Sequence, residues 1–385
     1  MQHKGLKIIE MEVAATRNTN SMLAKLAAKT KQSKYNKALP KTLPATVGHT
    51  LFYGPGGTGK TTCVEEAVAL MGCKEADGTF IRLSAESFTN VKEFVEILQS
   101  KLSWQGYLCD NGQIDHSNCT NCKIIDPVNP RGAVKQIAVF IDEIHAIDKA
   151  TQIGLLLILL DFRYQFKDDS GQRDVYFPRF TFFGATTDPG LLSKPLRTRF
   201  KNKIGLSYYS DKEMIPVVYT MAKRRGLSLD EEAATVLARC SQGIPREAGN
   251  HVDGLYACWC FFKERDRQLR AEGKDPMLTE LEHTAMTGRL ARRYIEIKEF
   301  LPDGMNYNQI RLLNYLNRRT ETGKFVTAGI KKILDALGWD EQQYADEIEP
   351  RLVSKGYLDT TRSRKITAEG VKYLNSVLKK YPNLA

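Results

Sequence analysis

Lys60 and Thr61 sit in the run Leu51 to Thr62, LFYGPGGTGKTT, where Gly54, Gly59, Lys60 and Thr61 fall on the spacing G-x-x-x-x-G-K-T. These residue types suit the holding of phosphate groups. Glycines let backbone N–H groups turn inward around the oxygens, the lysine ammonium reaches the terminal phosphates, and the Thr61 hydroxyl is placed to ligate Mg²⁺. The whole loop, Gly54, Pro55, Gly56, Gly57, Thr58, Gly59, Lys60, Thr61 and Thr62, is therefore the candidate nucleotide-binding segment, with ATP as ligand. Farther along, Asp142 and Glu143 close the apolar run Val139-Phe140-Ile141. Behind a phosphate loop, Asp142 can hold the Mg²⁺ through water, and Glu143 can orient or deprotonate an attacking water. A separate set, Cys109, His116, Cys119 and Cys122, contains a C-x₂-C pair with a further Cys and a His. Those donors suit a tetrahedral structural Zn²⁺, although free thiols on a polar loop fit the same spacing.

Such residues need elements to position them. An apolar strand precedes the loop and the helix-compatible run Cys63 to Met71 follows it. Thr79 to Leu83 reads as a second strand, Val91 to Leu102 as a helix, and Thr181 to Thr187 as a later strand with a polar tip. Alternation of this kind from Thr50 to about Gly205 calls for a parallel sheet with crossover helices. Asp168-Asp169-Ser170-Gly171 reads as the turn of a hairpin within Phe166 to Tyr176. Helical patterns then cover Asp211 to Arg225, Asp230 to Ser241, Arg246 to Arg270 and Leu278 to Phe300. Within them Cys258, Trp259, Cys260, Phe261 and Phe262 form a cluster expected in the core.

Charge adds a partner. The chain has 385 residues and a net charge of +11. Residues 1 to 48 carry nine Lys or Arg against two Glu, and residues 300 to 385 carry fourteen against ten acidic residues, so the middle is neutral. A neutral centre with basic ends points to a polyanion gripped by the ends, nucleic acid above all. The longest apolar run, Ile153 to Leu160, is too short to span a bilayer. With no apolar secretory core at the N-terminus, the expected location is the cytoplasm and the cysteines are expected as thiols or metal ligands.

The phosphate loop, IDEIH (Ile141 to His145), GATT (Gly184 to Thr187), PLRTRF (Pro195 to Phe200) and GIPR (Gly243 to Arg246) together resemble the RuvB family. That family comprises hexameric AAA+ motors driving branch migration of Holliday junctions. The likeness runs from about residue 50 to the end, apart from an insertion at about 104–135 that holds the Cys/His set. It implies that Thr187 is the polar sensor for the attacking water or terminal phosphate. Arg199 would be an arginine finger entering a neighbouring subunit's site, with Arg197 serving a similar site. Arg246 would be the lid's sensor arginine, and Tyr209 a nucleotide-adjacent tyrosine. The hairpin is the place where the family docks RuvA, so a RuvA-like partner is implied.

The expected fold is α/β. It combines a basic arm (1–48), an AAA+ P-loop parallel sheet (49–206), a helical lid domain (207–299) and a C-terminal winged-helix domain (300–385). The winged helix is read as helices at Tyr307 to Asn317, Val326 to Leu337 and Asp340 to Val353, with wing strands at Gly356 to Leu358 and Lys365 to Thr367. Its third helix carries Asp340, Glu341, Asp346, Glu347 and Glu349, which phosphates repel, whereas Arg362, Arg364 and Lys365 on the wing suit backbone contacts. The expected activity is ATP-dependent translocation by a homo-oligomeric ring, probed against duplex or four-way-junction DNA. An AAA+ loader of a clamp or helicase and a nucleotide-gated DNA-binding scaffold are the alternatives.

Overall fold

A computed structural model describes residues 47–104, 137–168, 171–177 and 180–384, together with Ile9 and Met11. The basic arm, apart from those two residues, and Cys109, His116, Cys119 and Cys122 lie outside the described residues. The chain divides into two units, Met1–Ser207 and Tyr208–Ala385.

In chain order the first unit runs β1 (Thr50–Tyr53), α1 (Lys60–Met71), β2 (Phe80–Ser84), α2 (Val91–Trp104), β3 (Ala138–Asp142) and α3 (Lys149–Asp161). It continues with β4 (Arg163–Asp168), β5 (Gly171–Tyr176), β6 (Thr181–Thr186), α4 (Lys194–Arg199) and β7 (Asn202–Gly205). Five strands pair in parallel in the order β2-β3-β6-β1-β7. Alternate residues feed opposite layers, as a two-residue repeat requires. Leu51, Val139, Ile141 and Phe182 pack with α2 and α3 residues such as Leu98 and Ile158, whereas Phe52, Phe140 and Phe183 pack with Val64 and Ala67 of α1. β4 and β5 form an antiparallel hairpin with Asp168 opposite Gly171, rooted where Phe177 N–H donates to Phe162 O (2.7 Å).

The second unit opens with helices α5 (Asp211–Arg224), α6 (Glu231–Cys240), α7 (Pro245–Ala271) and α8 (Gly288–Ile297). The single helix expected over Leu278 to Phe300 is broken. Only a 3₁₀ turn, Leu281–His283, precedes α8. The cause is Glu282, 1% exposed. Its carboxylate accepts from Thr279 N–H (2.9 Å), Thr287 Oγ1 (2.8 Å) and the Arg289 guanidinium (2.5 and 3.0 Å), and a continuous helix has no free N–H to offer it. The Cys258 to Phe262 cluster is only partly core. Phe262 is buried and Trp259 half-buried, but Phe261 points outward at 65% exposure, as a 3.6-residue repeat dictates for adjacent positions.

The rest of this unit holds α9 (Tyr307–Asn317), α10 (Ile330–Leu337), α11 (Glu341–Gln343), a π turn (Tyr344–Ile348), α12 (Glu349–Ser354), β8 (Leu358–Asp359), β9 (Lys365–Ile366) and α13 (Ala368–Lys380). α10 starts later than Val326 because Ala328 exchanges backbone hydrogen bonds with Arg364 (3.1 and 2.9 Å), which keeps that segment extended. The π turn comes just before Pro350, which has no N–H for a regular ladder. Arg351, 7% exposed, donates to Asp211 Oδ1 (3.0 Å), and Lys355 donates to Asp211 Oδ2 (3.0 Å). Gln309 Nε2 donates both to Gln242 Oε1 (3.1 Å) and to Glu347 O (2.9 Å). The third helix of the winged fold is thereby turned toward α5 and α6.

Burial opposes ionisation of Glu282, but donation from Arg289, which acts most strongly, together with Thr279 and Thr287, draws its carboxyl down to about 2. A depressed carboxylate stabilises the fold above its ordinary value of 4.5, and that contribution disappears as pH falls toward 2. Thermal unfolding followed from neutral pH downward should therefore show the parent losing stability below about pH 4.5. Glu282→Gln should be less stable at neutrality and lack that part of the acid dependence. An identical acid slope in both proteins would remove Glu282 from this role.

Candidate nucleotide site

The loop after β1 is shaped by its glycines. Gly54 has φ +142°, and a Cβ there would lie 2.1 Å from Leu206 O, so only glycine lets β7's exit pass so close. Gly57 (φ +72°) and Gly59 (φ +95°) also occupy the left-handed half of backbone space, which turns successive N–H groups to one side. Thr58, fully buried, donates its hydroxyl to Pro55 O (2.8 Å) and staples the loop. Lys60, at the start of α1, is 6% exposed and donates from Nζ to Gly54 O (2.9 Å) and Pro55 O (3.0 Å). Its ammonium is thus held against the loop that would surround the phosphates.

β3 delivers the carboxylates. Asp142 Oδ2 accepts from Thr61 Oγ1 at 3.1 Å, which sets a hydroxyl and a carboxylate side by side. Oxygen donors of this kind fit Mg²⁺, which takes one or two protein oxygens and completes its shell with phosphate and water. Glu143 follows with φ +46°, an uncommon conformation for a side-chain-bearing residue, and it begins the 3₁₀ turn Ile144–Ala146. That turn swings its carboxylate toward the end of β6. There Glu143 Oε2 accepts from Thr187 N–H and Thr187 Oγ1, each at 3.2 Å.

His145 adds a further contact to this cluster. His145 Nδ1 lies 3.2 Å from Glu143 Oε2 and 3.0 Å from Thr186 Oγ1, so it links the Glu143 carboxylate to β6. The signal in the sequence was only a polar side chain between Ile144 and Ile147.

Lys60, Thr61, Asp142, Glu143 and Thr187 are therefore brought together at the carboxyl ends of β1, β3 and β6. Pro55, Gly56 and Thr62 belong to the same loop and first helical turn. Arg197, half-buried, and Arg199 lie on α4. Arg199 is exposed, and no hydrogen bond or ion pair joins it to that cluster among the described residues.

Tyr209 and Arg246 belong to the second unit. Tyr209 N–H donates to Gly243 O (2.9 Å), and Gly243 (φ +81°) has no room for a Cβ, which would stand 2.4 Å from Tyr209 O. Arg246 is exposed in the first turn of α7. On the wing, the three basic positions separate. Arg364 makes a two-pronged pair with Glu349 (2.7 and 3.1 Å), and Lys365 pairs with Asp359 across β8 and β9 (3.0 Å). Arg362 is exposed, and among the described residues it has no ion pair.

Comparison with known proteins decides between the families that use such a site. Residues 50–208 match the ATPase family associated with various cellular activities (AAA), and residues 303–375 match the RuvB C-terminal winged helix domain. The chain is 30% identical over 332 residues to Holliday junction branch migration complex subunit RuvB 1 of Synechococcus sp. (strain JA-3-3Ab), covering 85% of this chain and 72% of the relative. The chain belongs to the RuvB family.

The RuvB subunit of Sulfurimonas denitrificans is 27% identical, across 85% of this chain and 81% of its own length. The fold of the Thermotoga maritima RuvB Holliday junction branch migration motor is similar, with a TM-score of 0.56 at 20% identity over 94% of each chain. As a RuvB-family AAA ATPase, the chain binds nucleotide, and the loop around Lys60 is the candidate grip on its phosphates. Titration with a fluorescent ATP analogue should saturate the parent protein, whereas Lys60→Ala should show no saturable binding over the same range. Unchanged affinity in that variant would place the phosphate grip elsewhere.

Proposed function

We propose that this RuvB-family chain is an ATP-driven motor that moves Holliday junction branches, working as a homo-oligomeric ring, a hexamer, around duplex DNA. The observation that carries the reading is that Thr61 meets Asp142, and Glu143 meets Thr187, at one sheet edge beside the Lys60 loop. Lys60 neutralises phosphate charge, Glu143 takes the proton of the attacking water, and Thr187 orients that water or the terminal phosphate. Thr61 and Asp142 would hold Mg²⁺, which supplies charge neutralisation between the phosphates. Arg199 of a neighbouring subunit, with Arg197 beside it, brings a further positive charge to the transferred phosphoryl, so hydrolysis depends on assembly. Arg246 and Tyr209 report nucleotide state to the lid, whose movement carries the DNA-binding winged helix. The hairpin β4–β5 is the docking place for a RuvA-like junction-binding partner.

The test is ATP-dependent conversion of a synthetic four-way junction into duplex arms at low salt. The parent protein should convert it, and Glu143→Gln and Arg199→Ala should each reduce hydrolysis by about 10²-fold or more. Mixing the two variants should restore part of the activity, because one interface in the mixed ring then has both an intact base and an intact finger. No recovery on mixing would mean that Arg199 acts within its own subunit. DNA-stimulated hydrolysis without junction conversion, even with a RuvA-type partner added, would favour the loader reading.

The same proposal gives the Cys109, His116, Cys119 and Cys122 set a structural Zn²⁺, on the chemistry of its donors. Purified protein should then carry about one zinc per chain, lost in Cys119→Ser/Cys122→Ser. A zinc-free protein of unchanged thermal stability would make these residues ordinary thiols.

A further inference from the structure

The winged helix has its usual groove-reading helix turned inward. α12 is tied to α5 by Arg351 and Lys355 on Asp211, and the π turn before it is tied to α6 and α9 by Gln309. The exposed charges of that helical segment before Pro350 are acidic: Asp340, Glu341, Asp346 and Glu347. Two of the three wing cations are already paired with carboxylates. Several cations without ion pairs among the described residues lie along a different edge.

That edge begins at the turn between α9 and α10. Val326 N–H donates to Arg318 O (3.0 Å), Thr320 N–H to Lys324 O (2.8 Å), and Arg319 bridges Phe325, so the turn is a closed hairpin. The Arg319 guanidinium lies over the Phe325 ring, 3.8 Å from its centroid, and donates to Gly323 O (2.9 Å), which stiffens it. Arg318, Arg319 and Lys324 are all exposed. Glu321 is the one carboxylate in this turn. From there the extended segment runs to Ala328, which is bridged antiparallel to Arg364. Antiparallel register then carries the chain beyond Ala328 alongside the wing residues before Arg364. Lys331 and Lys332, exposed at the start of α10, follow that bridge within four residues, and Arg362 at the wing tip precedes it by two on the facing strand, with Asp335 the one carboxylate in α10.

We infer that this edge, Arg318 and Lys324 at one end and Lys331, Lys332 and Arg362 at the other, is a second and larger grip on the DNA phosphate backbone. It rests on the DNA-motor reading and specifies which face of the winged helix meets the duplex. The contact is sequence-independent, since long cations on an exposed edge reach phosphates without entering a groove. Arg319 supports the turn and is left out of the test.

Duplex binding would be measured by fluorescence anisotropy across a salt series, using the full chain with a non-hydrolysable ATP analogue. Each phosphate contact removed should lower the slope of log affinity against log salt by about 0.9. Lys331→Ala/Lys332→Ala and Arg318→Ala/Lys324→Ala should each weaken binding on the order of tenfold, equally on unrelated duplex sequences. DNA-independent ATP hydrolysis should be unchanged in both, which checks folding and assembly. If both variants keep the parent's slope and affinity while Arg362→Ala loses binding, this edge is not the grip and the motor reading stands on the wing alone. If the parent protein itself binds no duplex, the DNA reading fails together with this one.

Discussion

The hydrogen bond from Thr61 to Asp142 joins residues 81 positions apart, and the remainder of the ATPase cluster depends on it. It exists because β6 is threaded between β1 and β3, with parallel register to both. Parallel strands end at one edge of the sheet, so the loop after β1, the carboxylates after β3 and the threonines after β6 must meet there. Gly184 allows the threading. A Cβ at this position in β6 would lie 3.1 Å from Phe200 and 3.2 Å from Leu51, tighter than well-packed neighbours tolerate without shifting.

The acid-base cluster is built on strain as well as on register. Glu143 holds a left-handed backbone conformation that an isolated residue would leave, and three donors or near-donors from Thr187 and His145 fix its carboxylate. The Glu143 carboxylate is thereby anchored to the end of β6 at Thr187.

A second constraint governs the C-terminal unit. Arg351 is almost fully buried and its charge is compensated by Asp211, whose own carboxyl would be raised by burial but is held below the usual range by Lys355 and Arg351. Removing Asp211 would leave the buried Arg351 charge without its partner. Gly304, where a Cβ would stand 2.2 Å from Arg239 O, and the Gln309 bridge add to the same junction between lid helices and winged helix. These contacts join α5 and α6 to the winged helix.

The phosphate loop, the acidic pair, the polar tip of β6 and the order of strands and helices were legible in the sequence. Each is a local pattern, in which residue type and spacing alone dictate glycine conformation, apolar layering or oxygen chemistry. α9 was likewise read with the bounds it has, because Asn306 and Gln309 form a capping box at its start. Other features were decided only by tertiary contacts. The break before α8 follows from donors gathered around a buried Glu282, the late start of α10 from a bridge to the wing, and the neutralisation of Arg364 and Lys365 from carboxylates across the fold. A charge in a sequence shows what it could hold. Which carboxylate or phosphate it does hold depends on residues that come near only when the chain has folded.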